Sequence, residues 1–92
     1  MQIVYFTPPF DPPPEMKGHF SLDMPKGAEI LTVGVQHSQA RIFALVDKKA
    51  PKEKRNFCII RSWCEIDEDL EEMNYIGTYQ SGDNFGHIFE IG

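Results

Sequence analysis

His87 is the residue whose surroundings in the sequence point most clearly to chemistry. It lies between Phe85 and Phe89 on the apolar side of an alternating segment. An imidazole there is either a neutral core residue, hydrogen-bonded to the backbone or to Tyr75 or Tyr79 on a neighbouring strand, or a general base. A base requires a nucleophile, and the serines of this chain lack the sharp elbow motif that exposes a catalytic hydroxyl. We therefore predict no catalytic residues and a protein that is not an enzyme.

Arg61 and Trp63 point to binding rather than to a reaction. They alternate on one face of an apolar segment, and an arginine among aromatic rings can stack on them and bind a phosphate or carboxylate. The other interpretation places Arg61 at the end of a strand, with its stem buried and its charge in water. The residues predicted to bind a ligand or partner are Arg61, Trp63, Tyr75, Tyr79 and His87.

The acidic segment does not predict a metal site. Asp67, Asp69 and Glu71 alternate as calcium ligands do. A calcium-binding loop also needs glycine at its sixth position and glutamate at its twelfth, where this chain has Glu72 and Thr78. Because both positions fail, we predict no metal and no other cofactor.

The two cysteines indicate the redox environment. Cys58 and Cys64 lack the close spacing of a zinc-binding pair. If residues 57–64 form one extended strand, the two lie roughly 20 Å apart, beyond the reach of a disulfide. They are then predicted to remain reduced, which favours the cytoplasm.

Charge is concentrated in two short segments, and the net charge is −5 from 14 acidic and 9 basic residues. The strand between the segments separates them by roughly 25–30 Å, far beyond the screening length of about 8 Å. They are either docking surfaces at the two ends or solvated loops. The negative balance disfavours duplex nucleic acid as a partner. The basic patch is Lys48, Lys49, Lys52, Lys54 and Arg55, and the acidic patch is Glu65, Asp67, Glu68, Asp69, Glu71 and Glu72.

The elements that position these residues are predicted to be strands. A chain of 92 residues forms one domain, 1–92, and its apolar side chains mostly alternate with polar ones. This pattern predicts a mainly β fold, a small antiparallel β-sandwich or barrel of about six to seven strands. Its edge strands leave a homodimer open. The predicted strands are 2–6, 19–24, 29–36, 41–46, 56–64, 75–80 and 85–91.

Two segments depart from the alternation. Residues 7–18 contain five prolines and are predicted to form an extended loop. Residues 65–73 place Ile66, Leu70 and Met73 at helical spacing, so a short helix at 67–73 is one interpretation. No apolar run is long enough to span a bilayer, and Pro8 and Pro9 interrupt the opening apolar segment, so neither a membrane anchor nor a secretory leader is expected.

The order of four segments resembles a group of small phage and prophage proteins with no established activity. These segments are 24–31 (Met-Pro-Lys-Gly-Ala-Glu-Ile-Leu), 43–47 (Phe-Ala-Leu-Val-Asp), 75–80 (Tyr-Ile-Gly-Thr-Tyr-Gln) and 87–90 (His-Ile-Phe-Glu). The chain departs from the group in its long loop at 7–18. It also has Arg-Ser-Trp-Cys at 61–64, where the group tends to have a Gly-Thr-Gly-like turn.

The resemblance implies a phage accessory protein in the bacterial cytoplasm. Such a protein would bind and modulate a host protein, for example a defence component, without catalysing a reaction. Two alternatives stay open: a binder that sequesters a small anionic ligand or nucleotide, and a minor virion or assembly component.

Overall fold

Alternating apolar and polar side chains organise the part of the chain that the structure describes into seven antiparallel strands, which confirms the mainly β prediction. A computed structural model describes residues 1–9, 17–66 and 70–92. One 3₁₀ turn, Leu70–Glu72, precedes the sixth strand. The strands are β1 (Gln2–Phe6), β2 (Lys17–Pro25), β3 (Glu29–Gln36), β4 (Gln39–Val46), β5 (Lys52–Arg61), β6 (Met73–Ser81) and β7 (Asn84–Ile91).

The strands form a sandwich of two sheets. The three-stranded sheet has the order β1-β4-β3, and the four-stranded sheet has the order β2-β5-β7-β6. On one side of the sandwich β3 and β6 lie against each other. Gly77 permits this approach, since a β-carbon at that position would lie 3.0 Å from Cβ of Val33. On the other side, β1 borders a groove of about 350 Å³ that is lined also by Pro25 and Lys52.

The main core lies between the two sheets. Phe20 of β2 stacks on Phe57 of β5 with the ring centroids 5.4 Å apart. A fully buried side chain of this kind stabilises the fold by about 1.5–3 kcal/mol. The buried residues of this core are Phe20, Met24, Ala28, Ala40, Ile42, Ala44, Val46, Phe57, Ile59, Tyr79 and Ile88.

A second, smaller cluster lies on the outer face of the four-stranded sheet. Cys58, Ile60 and Met73 are buried there, and Cys64 and Phe89 pack against them. β5 is therefore apolar on both faces because it contributes to two clusters, as the two-sided pattern of its sequence indicates. This outer cluster forms the floor of the candidate site.

Several strands have bounds other than those predicted, and three differences bear on the site. β5 ends at Arg61 rather than at residue 64. Residues 17–18 belong to β2 and not to the proline-rich loop, of which residues 10–16 lie outside the described residues. The short helix at 67–73 is wrong for the part that is described: Leu70–Glu72 is a single 3₁₀ turn, and Met73 already pairs with Ile91. A segment this short forms a helix only where packing supports it.

Candidate functional site

The chain turns sharply after β5, and this turn presents Trp63 to solvent. The amide of Cys64 donates to the carbonyl of Arg61 at 3.3 Å, and the amide of Ser62 donates to the carbonyl of Phe85 at 3.4 Å. Between them Trp63 adopts φ of +73°, a left-handed conformation that is costly for a bulky residue. Its side chain is 99% exposed. We refer to residues 61–64 as the Trp63 turn.

A chain of hydrogen bonds supports the Trp63 turn from below. Ser62 Oγ lies 2.8 Å from His87 Nε2, and His87 Nδ1 lies 2.8 Å from Thr78 Oγ1. The hydroxyl of Tyr75 is in turn hydrogen-bonded to Thr78. In a neutral imidazole one nitrogen donates and the other accepts, while each hydroxyl can do both. The chain therefore links the end of β5 to β7 and β6 with every member satisfied.

The Ser62–His87 pair has the spacing of a nucleophile and its base. In hydrolases of this kind a carboxylate on the far nitrogen orients the imidazole and stabilises its charged form. Here the far nitrogen bonds to the Thr78 hydroxyl, and the chain of hydrogen bonds continues to Tyr75. A hydroxyl orients the ring but carries no charge. The arrangement can therefore fix the position of Ser62 and, through it, the Trp63 turn.

Trp63 borders two hollows on the surface. One, of about 380 Å³, lies over the outer cluster and is mainly apolar; with Trp63 it is lined by Ile60, Arg61, Ser62, Cys64, Ile66, His87 and Phe89. The other, of about 390 Å³, is lined by Arg61, Ser62, Asp83, Asn84 and the exposed ring of Phe85. The Arg61 guanidinium donates to Asn84 Oδ1, which ties the Trp63 turn to the β6–β7 hairpin.

The structure brings together four of the five predicted site residues. Arg61, Trp63 and His87 meet at the Trp63 turn, and Tyr75 joins them through Thr78. Tyr79 does not join them, because it is only 3% exposed and lies in the core between the sheets. A register shift between Tyr75 and Gly77 is the cause: a bulge reverses the alternation, so two tyrosines four residues apart face opposite sides.

Ser62 and Thr78 belong to the candidate site through their hydrogen bonds to His87, and the sequence analysis did not identify them. The interpretation of 56–64 as one strand hid the turn that aims the Ser62 hydroxyl at His87. The pairing of Ile60 with His87 and of Thr78 with His87 places these side chains on one sheet face. That register is a long-range property, and no local pattern in the sequence reports it.

The basic patch is smaller than predicted. Lys48, Lys49, Lys52 and Lys54 are exposed, but Arg55 points between the sheets. Its Nη2 donates to Glu90 Oε1 at 2.9 Å and its Nη1 to the carbonyl of Ala28 at 2.9 Å. The hydrogen bond to Glu90 raises the pKa of Arg55 above its ordinary value, although burial works in the opposite direction.

The acidic patch is described only in part. Glu65, Glu71 and Glu72 are exposed, whereas residues 67–69 lie outside the described residues. Cys58 and Cys64 are both free thiols, and the chain does not stay extended between them because β5 ends at Arg61. In the described ranges, no three His, Cys, Asp or Glu side chains are grouped to hold a metal ion. Those ranges also contain no helix with the length and apolar character that a bilayer span requires.

The fold and site define a small β-sandwich protein with a projecting tryptophan turn. Residues 13–91 match a family model described as "Domain of unknown function (DUF7352)", and the chain belongs to this family. Curated proteins and solved structures gave no match.

Proposed function

We propose that this protein is a non-enzymatic accessory protein that binds another protein through the Trp63 turn. The observation that carries the proposal is the full exposure of the Trp63 side chain. Tryptophan buries a large apolar area on binding and has one N–H for an oriented hydrogen bond. It is among the residues that contribute most to protein–protein affinity. Ile66 and Phe85 are also exposed. Ile66 lines the hollow over the outer cluster and Phe85 lines the other, so both extend the apolar surface around Trp63.

The hydrogen bonds beneath the Trp63 turn favour binding of a partner. Binding is weakened by the entropy lost when a mobile side chain or loop is ordered. Here two backbone hydrogen bonds and the Ser62–His87 bond already hold the turn, and Arg61 is tied to Asn84. The backbone that carries the indole is therefore ordered before a partner arrives.

The partner we propose is a bacterial host protein, such as a defence component, met in the host cytoplasm. The resemblance to small phage and prophage proteins supports this assignment, and the Trp63 turn occupies positions 61–64, where the chain departs from that group. Phage accessory proteins without a catalytic site commonly act by covering a surface of a host protein. In this assignment the specificity of this member resides in the Trp63 turn.

The test is capture of a partner from host lysate by the wild-type protein and by two matched variants. Trp63→Ala removes the proposed anchor, while Leu31→Ala truncates an exposed apolar side chain on β3. A protein retained by wild type and Leu31→Ala but lost with Trp63→Ala supports the proposal. Equal retention by all three, or no specific retention at several salt concentrations, contradicts it.

The anionic-ligand alternative has weaker support. Arg61 is already bonded to Asn84, Asp83 lines the same hollow, and Tyr79 is buried elsewhere. A nucleotide present at 100 times its dissociation constant would stabilise the protein by about 2.7 kcal/mol. A thermal shift with nucleotide pools would support this alternative over protein binding. A minor virion component would instead be detected by mass spectrometry of purified particles.

A further inference from the structure

β1 is an unprotected edge strand. Among the described residues it hydrogen-bonds to β4 on one side and to nothing on the other. Residues 1–9 contain no Asp, Glu, Lys or Arg. Natural edge strands normally carry a charge, a proline or a cover that prevents pairing with another chain. β1, Gln2–Phe6, carries neither a charge nor a proline within the strand.

The other edges of the two sheets are protected. β2 contains Lys17, Asp23 and Pro25, which oppose the addition of a further strand. β3 and β6 lie against each other, with Gly77 close to Val33. Among these edges, β1 is therefore the one that is suited to pair with an added strand.

The outer face beside β1 is also mainly apolar, with the Arg41 guanidinium lying over the Tyr5 ring at 4.9 Å from its centroid. Ile3 is 66% exposed and Tyr5 49% exposed. Their partners in the register are Leu45 and Phe43 of β4, and the rings of Tyr5 and Phe43 meet edge to face with centroids 6.1 Å apart. An apolar strip next to a free edge adds side-chain burial to any backbone pairing made there.

We propose that β1 pairs with β1 of a second copy of this chain, forming a two-fold symmetric dimer with a continuous six-stranded sheet. The inference is independent of the Trp63 turn. An antiparallel pair centred on Val4 places Ile3 opposite Tyr5 of the second copy and gives all five residues of the strand a partner. The strand is complementary to itself in this register, as a two-fold interface requires.

Charge supports a second copy as the occupant. A protein of net charge −5 repels its own copies except where the meeting surfaces lack negative charge. Residues 1–9 carry no charged side chain, and the groove beside β1 is lined by Lys48 and Lys52 rather than by acidic residues. The two identical surfaces that meet in the symmetric pair therefore lack the acidic side chains that repel elsewhere on the protein.

The first experiment measures molar mass by sedimentation equilibrium. Wild type is expected at twice 10.6 kDa. Ile3→Lys is expected to weaken dimerisation by more than about tenfold, because a symmetric interface loses two apolar side chains. Val35→Lys is the matched control, since Val35 is 52% exposed on β3 of the same sheet. Circular dichroism confirms that each variant is folded.

The second experiment tests the register by disulfide formation in a Cys64→Ser background. Directly opposite Cα atoms lie about 4.5–5.5 Å apart, within disulfide range. A mixture of Ile3→Cys and Tyr5→Cys chains should therefore form a disulfide-linked dimer, while each variant alone should not, since like positions are about 8 Å apart. A monomeric wild type, a dimer unaffected by Ile3→Lys, or the absence of the mixed disulfide in a dimer would overturn the proposal.

Discussion

Trp63 combines a left-handed backbone with a side chain that is entirely in water. Each feature is unfavourable in the isolated protein. The left-handed conformation costs about 1–2 kcal/mol for a residue with a β-carbon. The exposed indole lacks the hydrophobic stabilisation that burial in a core would have provided. Neither feature stabilises the fold. Features of this kind cluster at functional sites, which supports the proposal that Trp63 recognises a partner.

Replacing Trp63 separates its strain from its binding role. Trp63→Gly should have a free energy of unfolding about 1 kcal/mol higher than Trp63→Ala, because glycine adopts positive φ without a steric penalty. Urea denaturation followed by circular dichroism measures the difference. Both variants should lose the captured partner. Equal stability of the two variants would show that the backbone at residue 63 is not strained.

At the scale of elements, the Arg55–Glu90 pair joins β5 to β7 within the four-stranded sheet. Both side chains are largely buried, and Arg55 also donates to Ala28 in the segment that leads into β3. Glu90→Gln should lower the free energy of unfolding by about 1–3 kcal/mol, because a charged donor then loses its carboxylate. Replacing both residues by methionine should recover part of the loss. A double-mutant cycle in urea measures the coupling, and additive losses would contradict it.

The contribution of Arg55 should not vary with pH from the range in which its partner Glu90 is ionised up to the ordinary pKa of arginine. The pKa of Arg55 is raised in the fold, chiefly by the hydrogen bond to Glu90, so on the alkaline side the stabilisation is lost only as pH rises through the higher value.

Gly77 sets the closeness of β3 and β6. Gly77→Ala would place a β-carbon 3.0 Å from Cβ of Val33, and we expect a loss of about 1–3 kcal/mol in the free energy of unfolding. Adding Val33→Ala should restore some of this loss by making room for the new methyl group. Denaturation midpoints of the two variants test this, and a double variant that is no more stable than Gly77→Ala would argue against the clash.

Strand positions could be predicted from the sequence because alternation is a local signal. All seven segments proposed for strands contain one, and apolar residues on both faces of β5 indicated its central place. The turn after Arg61 escaped prediction because residues 61–64 contain no Gly, Pro, Asn or Asp, and a bulky Trp63 is not a typical turn former. The bulge after Tyr75 moved Tyr79 to the core, and the pairing of Arg55 with Glu90 depends on register between distant strands. These features are decided by tertiary packing.

At the scale of the whole molecule, two separate surfaces are available for contacts. The Trp63 turn lies at the end of β5 in the four-stranded sheet, and β1 is the free edge of the three-stranded sheet. The two sites share no residues, so the dimer and the complex with a host protein can exist together. Ile3→Lys should accordingly weaken dimerisation while leaving partner capture through each Trp63 unchanged, apart from avidity.

The accessibility of Trp63 is the most direct test of the account. It is the single tryptophan of the chain, so its fluorescence reports the proposed contact alone. Acrylamide should quench the isolated protein at close to the rate for a free indole in water, and a captured partner should protect it and shift its emission to shorter wavelength. An indole that is already shielded in the isolated protein, or one that remains equally accessible in the complex, would contradict the account.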